Sequence, residues 1–132
     1  MSVIQSRDNR SYEAGADLSA EQFKFVAANE VNSTTGEVTI GIQAVDGGAS
    51  TIGVLLVGTI SEGTCTVTVT GRTMVLAAEG ISAGAPVTSD ALGKARKADQ
   101  VGDTILGTSI KNCSAGGFSE IELFLGGNVV AV

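Results

Sequence analysis

Apolar and small polar residues alternate strictly in two stretches, Cys65-Thr66-Val67-Thr68-Val69-Thr70 and Ser119-Glu120-Ile121-Glu122-Leu123-Phe124-Leu125. Successive side chains of a strand point to opposite faces, so this period of two predicts strands with one buried face each. The glycine, aspartate and proline clusters between them, in Gly80–Thr88, Asp90–Ala95 and Gly102–Gly107, are turn chemistry. The second half therefore reads as an antiparallel β unit. Upstream, Phe23–Ala27 and Val38–Ile42 flank the turn-like Asn32–Glu37 and predict a hairpin with a loose loop. Ile52–Gly58 is a continuous apolar run bounded by glycines, the signature of a fully buried strand. Arg72–Ala78 forms a further run, and Asp46–Ala49, Ser61–Gly63 and Ala115–Gly117 are additional turns.

Pro86 lacks a backbone donor and belongs at a strand start or on an edge. Lys94-Ala95-Arg96-Lys97 reads as a short strand with the one clear basic cluster, either a partner contact or a solvated edge protected by charge. Leu18–Gln22 has the look of a short helix or turn, with Asp17 or Ser19 as cap. Residues 1–17 are polar and charged, with Val3, Ile4 and Tyr12 as isolated apolar groups. Such a segment buries too little to fold alone, and reads either as a frayed terminus or as an arm that orders against a partner. The expected organisation is a flexible N-terminal arm over 1–17, a single β domain over 18–127 and a tail over 128–132. The expected fold is mainly β, a compact antiparallel barrel or β-tulip-like domain with at most one short helix; a sandwich fits the same pattern.

Composition adds one structural hint. The 132 residues are 43% hydrophobic but only 4% aromatic, with no tryptophan and 18 glycines. A core of Val, Ile, Leu, Ala and Thr lacks the large anchors that each bury about 150–250 Å², so part of the stability is expected from association with other copies. A net charge of -6, without a basic stretch beyond residues 94–97, argues against binding nucleic acid or an anionic membrane. The N-terminal residues lack the apolar core of a secretory signal, which points to synthesis in the cytosol. Cys65 and Cys113 have neither metal-ligand spacing nor histidine company, and in a reducing compartment are expected as free thiols.

The candidate chemistry is thin. The chain has no histidine, and so lacks the commonest general base and the commonest metal ligand. Gly80-Ile81-Ser82-Ala83-Gly84 matches the G-x-S-x-G nucleophile elbow, but that device needs a following helix and a histidine, and here Ala85-Pro86 follows. Gly93-Lys94 lacks the rest of a phosphate-binding loop, and Glu120 and Glu122 share what reads as a solvent face. No catalytic, metal or cofactor residues are assigned, and no enzyme activity is expected.

Leu18-Ser19-Ala20-Glu21-Gln22-Phe23-Lys24-Phe25-Val26 resembles the opening of tailed-phage capsid cement, or head decoration, proteins of the DUF2190 type. The order Gly53-Val54-Leu55, Thr66–Val69, Gly80–Gly84, Val87-Thr88, Asp90–Ala95, Gly102-Asp103, Ile105–Gly107 and Ile121–Leu125 continues the resemblance to about Gly126. It implies a non-enzymatic virion protein on the outer surface of an expanded icosahedral capsid, made in the host cytoplasm. Such proteins clamp neighbouring major capsid subunits and commonly form homo-oligomers, often trimers. The family pattern does not reach the arm. From its own residues, Ser2–Tyr12 reads as a segment that adds as a strand to a capsid edge. Val3, Ile4, Arg7, Arg10 and Tyr12 are its candidate contacts, and deleting residues 2–12 is expected to spare the fold. Two other readings stay open: a small β-barrel ligand-binding or regulatory module without catalytic activity, and a hydrolase built around Ser82.

Overall fold

The computed structural model describes residues 8–125 and 128–131 and is all-β. Its strands are β1 Asp8–Ala14, β2 Phe25–Val31, β3 Val38–Ile42, β4 Thr51–Val57, β5 Thr64–Leu76, β6 Pro86–Ser89, β7 Ala95–Lys97, β8 Gly107–Ser109 and β9 Phe118–Leu123. They join in the order β1-β3-β2-β4-β5-β9-β8-β6-β7, and β1 also pairs with β5. That extra pairing closes β1, β3, β2, β4 and β5 into a five-stranded barrel. Its ladders are antiparallel except β1–β3, which is parallel.

The strand that ties the molecule together is β5. Cys65–Thr70 and Arg72–Ala78 read as two runs in the sequence, but Thr64–Leu76 is one continuous strand. Residues 64–70 pair with β1, while Gly71–Leu76 pair with β9. The handover falls at Gly71, whose φ of 101° is a conformation that side-chain-bearing residues rarely adopt. Beyond it β5, β9, β8, β6 and β7 form a second sheet, which curls until Ala77 bridges Ala95 of β7.

Each half has its own core. Leu18, Val26, Ile40, Leu55, Cys65 and Val67 fill the first barrel. Val75, Ile81, Val87, Leu106, Ile121 and Leu123 fill the second half, joined by Phe25 and Val54 from β2 and β4. Phe25, fully buried, thus reaches from the first barrel into the second core. Phe25 and Val54, carried by β2 and β4 of the first barrel, couple the two halves by packing in the second core.

Two expectations are corrected. Residues 8–14 are not a free arm: β1 pairs with β5 from Asp8 to Glu13 and with β3 at Glu13 and Ala14. Alternating burial is weak in β1 because only Tyr12 and Ala14 meet the first core; backbone pairing rather than apolar content holds this strand. Deleting residues 2–12 therefore removes most of β1, the part that pairs with β5, and leaves only Glu13 and Ala14 of that stave. The basic 94–97 strand is likewise not a solvated edge throughout, since Arg96 is buried.

Leu18–Gln22 is turn, not helix. Leu18 N–H donates to Thr59 O at 2.8 Å, and Phe23 N–H donates to Leu55 O at 2.7 Å rather than back to Ser19 as in a helix, so the segment is pinned to neighbouring chain. Asp17 Oδ1 accepts from both Ser19 N–H and Ser19 Oγ, which pulls the Asp17 carboxyl below the usual range. Pro86 opens β6, as its missing donor requires. The C-terminal tail docks: Gly102 N–H donates to Val130 O, Val130 N–H to Asp103 O and Ile105 N–H to Asn128 O.

Candidate functional site

Ser82 lies in an exposed turn before β6, with Ala83 N–H donating to Asn112 Oδ1 at 2.8 Å. A strand follows instead of the helix that a nucleophile elbow requires, so the motif here is a glycine turn. Among the described residues no group of three or more His, Cys, Asp or Glu is placed to hold a metal ion. Cys65 is buried, which pushes its thiol up, and Cys113 is partly buried; both are free.

The geometry that stands out is a surface, not a reaction centre. An open groove of about 500 Å³ lies beside β1 at one end of the first barrel. Tyr12 and Val38 supply its apolar wall, and Glu13, Glu37 and Glu62 surround it, with no Lys or Arg in its lining. A second hollow, about 360 Å³, lies on the other side of Glu13 and adds Glu30 and Asn32. Asn32 Nδ2 donates to both oxygens of Glu13, at 2.9 and 3.2 Å, and so fixes that carboxylate. Val31 and Val38 face each other across β2 and β3 and are both exposed.

The contact residues expected from sequence meet this site in part. Val3, Ile4 and Arg7 lie outside the described residues. Arg10 and Tyr12 come together on β1. Arg10 is exposed and pairs with Asp8 at 3.1 Å, while Tyr12 is half-buried and packs on the first core at the groove. Glu37, Val38 and Glu62 were missed as site residues. They sit in segments recognised as turns or strand ends, but nothing in the sequence shows that Asn32–Glu37, Ser61–Gly63 and β1 converge at one end of a barrel.

A second cluster organises the opposite part of the fold. Arg96 Nη1 and Nη2 donate to the two oxygens of Asp103, both at 2.8 Å, and Nε donates to Asp46 at 2.9 Å. Gln100 N–H also donates to Asp103. Arg96 holds the Asp103 carboxyl below the usual range against the opposing effect of burial, and Asp103 in turn raises the guanidinium further. Because Asp46 sits between β3 and β4, this ion pair fastens a loop of the first barrel to the second. It is a structural clamp, with its charge satisfied internally.

The outer face of the second sheet carries Met74 on β5 and Phe118 on β9, both exposed, with Phe124 just beyond. Phe118 meets Phe23 edge-to-face, ring centroids 5.4 Å apart.

No family model matches the chain, and no curated protein matches its sequence. The fold does recur. The N base of head fiber gp8.5 in bacteriophage phi29 superposes with a TM-score of 0.70 at 13% identity, over 93% of this chain and 98% of that one. At that identity the two share a fold, end to end, rather than a recognisable sequence.

Proposed function

We propose that this chain is a non-enzymatic structural protein of a tailed-phage virion. In this reading it binds the outer surface of the expanded capsid and ties neighbouring major capsid subunits together. The observation that carries the reading is the end-to-end likeness of fold to a phage head fiber base. Supporting it, both halves of the molecule are packed with side chains, Val26, Ile40, Leu55 and Val67 in one and Val75, Leu106, Ile121 and Leu123 in the other, as in a scaffold. The absence of histidine from the sequence suits the same role.

A clamp of this kind works by multivalency: once one attachment forms, the next is effectively intramolecular. Homo-oligomers, trimers first among them, supply several attachments at once. Preference for the expanded shell requires only that the attachment points reach the right spacing in that state. The exposed Met74, Phe118 and Phe124 are suited to contacts between copies or with the shell.

Co-sedimentation with matched shells, expanded and unexpanded, tests the proposal. Saturable binding to expanded shells alone is the expected result, with a copy number from the plateau and a trimer in sedimentation equilibrium. Binding to neither shell refutes it.

A further inference from the structure

The first barrel is closed between β1 and β3 by only two residue pairs, Glu13 with Thr39 and Ala14 with Ile40. β1 itself runs on to Asp8. Continuing the parallel register would set Tyr12 opposite Val38 and Ser11 opposite Glu37, yet the strands part there and the open groove fills the gap. From Asp8 to Tyr12, β1 is therefore paired on its β5 side only, among the described residues. In an antiparallel pair alternate residues turn their N–H and C=O toward the partner, and those between turn theirs away. Here the outward groups line a seam that is already strand-shaped.

The side chains around that seam say what fits. Tyr12 and Val38 offer an apolar wall, the latter 41% exposed. Glu13, Glu37 and Glu62 set three carboxylates about it with no cation in the lining. Asn32 holds Glu13, but Glu37 and Glu62 enter no ion pair among the described residues. An added strand gains main-chain hydrogen bonds from the edge and selectivity from alternate side chains, and the charge at this edge selects for lysine or arginine. A second copy of this chain, itself at -6, brings like charge to the same place.

We propose that the splayed seam between β1 and β3 is a docking groove for an extended, Lys/Arg-bearing segment of another protein, which adds as a strand along the free edge of β1. The inference does not depend on the virion reading, since it follows from the edge and its charge whatever protein carries the segment.

The test uses the full chain and peptide libraries of about eight residues, the length of an ordinary strand. Lys, Ser or Glu is fixed at alternate positions, and binding is read by fluorescence anisotropy and amide hydrogen exchange. The Lys library should bind at least tenfold more tightly than the Glu library and slow exchange within residues 8–12. The double variant Glu37→Lys, Glu62→Lys changes only exposed side chains. It should reverse the preference while keeping the wild-type melting temperature. Equal binding of the three libraries, protection elsewhere, or a preference unchanged by the charge reversal would overturn the proposal. So would protection of residues 8–12 that grows with protein concentration without peptide, which would assign the edge to a second copy.

Discussion

Replacing Arg96 with methionine removes the guanidinium while keeping most of the side-chain length. Four hydrogen bonds go with it: two to Asp103, one to Asp46 and one to Lys97 O. Asp103, only 5% exposed, is left with the backbone N–H groups of Gln100 and Asp99 facing its carboxylate. Breaking one side of a buried ion pair costs about 3–5 kcal/mol, because the other charge stays buried without compensation. For a domain of this size each kcal/mol shifts the melting temperature by roughly 3–5 °C, so Arg96→Met should lower it by roughly 10–25 °C.

The double variant Arg96→Met, Asp103→Leu should recover at least half of that loss, since a buried apolar pair often matches a buried ion pair in stability. The effect of pH gives an independent check. Arg96 depresses the folded-state pKa of Asp103, so its contribution is fully present above the unfolded carboxyl value of about 3.9 and is lost as pH falls through the folded value. Without Arg96, burial, which favours the protonated form of Asp103, is opposed only by the backbone N–H groups of Gln100 and Asp99, so the wild-type advantage is lost in acid. The stability gap between wild type and Arg96→Met, measured by urea denaturation, should therefore narrow below about pH 3.9. A cost under about 1 kcal/mol at neutral pH, or a gap that widens in acid, would refute the assignment of this pair as the clamp between the halves.

Gly71→Val places a β-branched residue at a φ of 101° where β5 passes between the two sheets; a loss of about 1–3 kcal/mol or more is expected in denaturant titration. Deleting residues 2–12 should destabilise the first barrel, seen as lost amide protection across the first part of β5, because Asp8–Tyr12 pair with residues 65–70. With a water-soluble thiol reagent, the native chain should expose Cys113 first and hold Cys65 back until unfolding, since Cys65 is 0% exposed and its thiol is pushed up by burial. Equal native reactivity of the two thiols would count against the packing of the first core.

The parts of the fold that were legible in the sequence are those where the inner face had to be apolar. β3, β4 and β9 announce themselves through Val38–Ile42, Ile52–Val57 and Ser119–Leu123, and the turns around them through glycine and aspartate. β1 was not legible because Asn9, Arg10, Ser11 and Glu13 need satisfy no core; their strand exists through its pairing with residues 64–70. The unity of β5 was hidden by Gly71, which resembles a break and is instead a bend. Arg96 looked like surface charge because Asp46 lies 50 residues away and Asp103, seven residues on, reaches it only after the loop beyond β7 folds back. The groove was invisible for the same reason. Glu37 and Glu62 meet β1 only after the barrel has closed.

The order in which the chain leaves the ribosome acts on β5 unequally. Its first half finds β1 and β4 already made, and the five staves of the first barrel are complete once residue 76 has emerged. Its second half must wait for β9, roughly 50 residues later, which at about 5–20 residues per second is an interval of roughly 3–10 seconds. For that time Gly71–Leu76 is a folded strand with an open edge, anchored at one end and carrying Met74 and Val75 without a neighbour. A nascent chain stalled near residue 115 should thus display a finished barrel with a sticky flange, and crowded synthesis of this protein should aggregate through that flange rather than through its native surface.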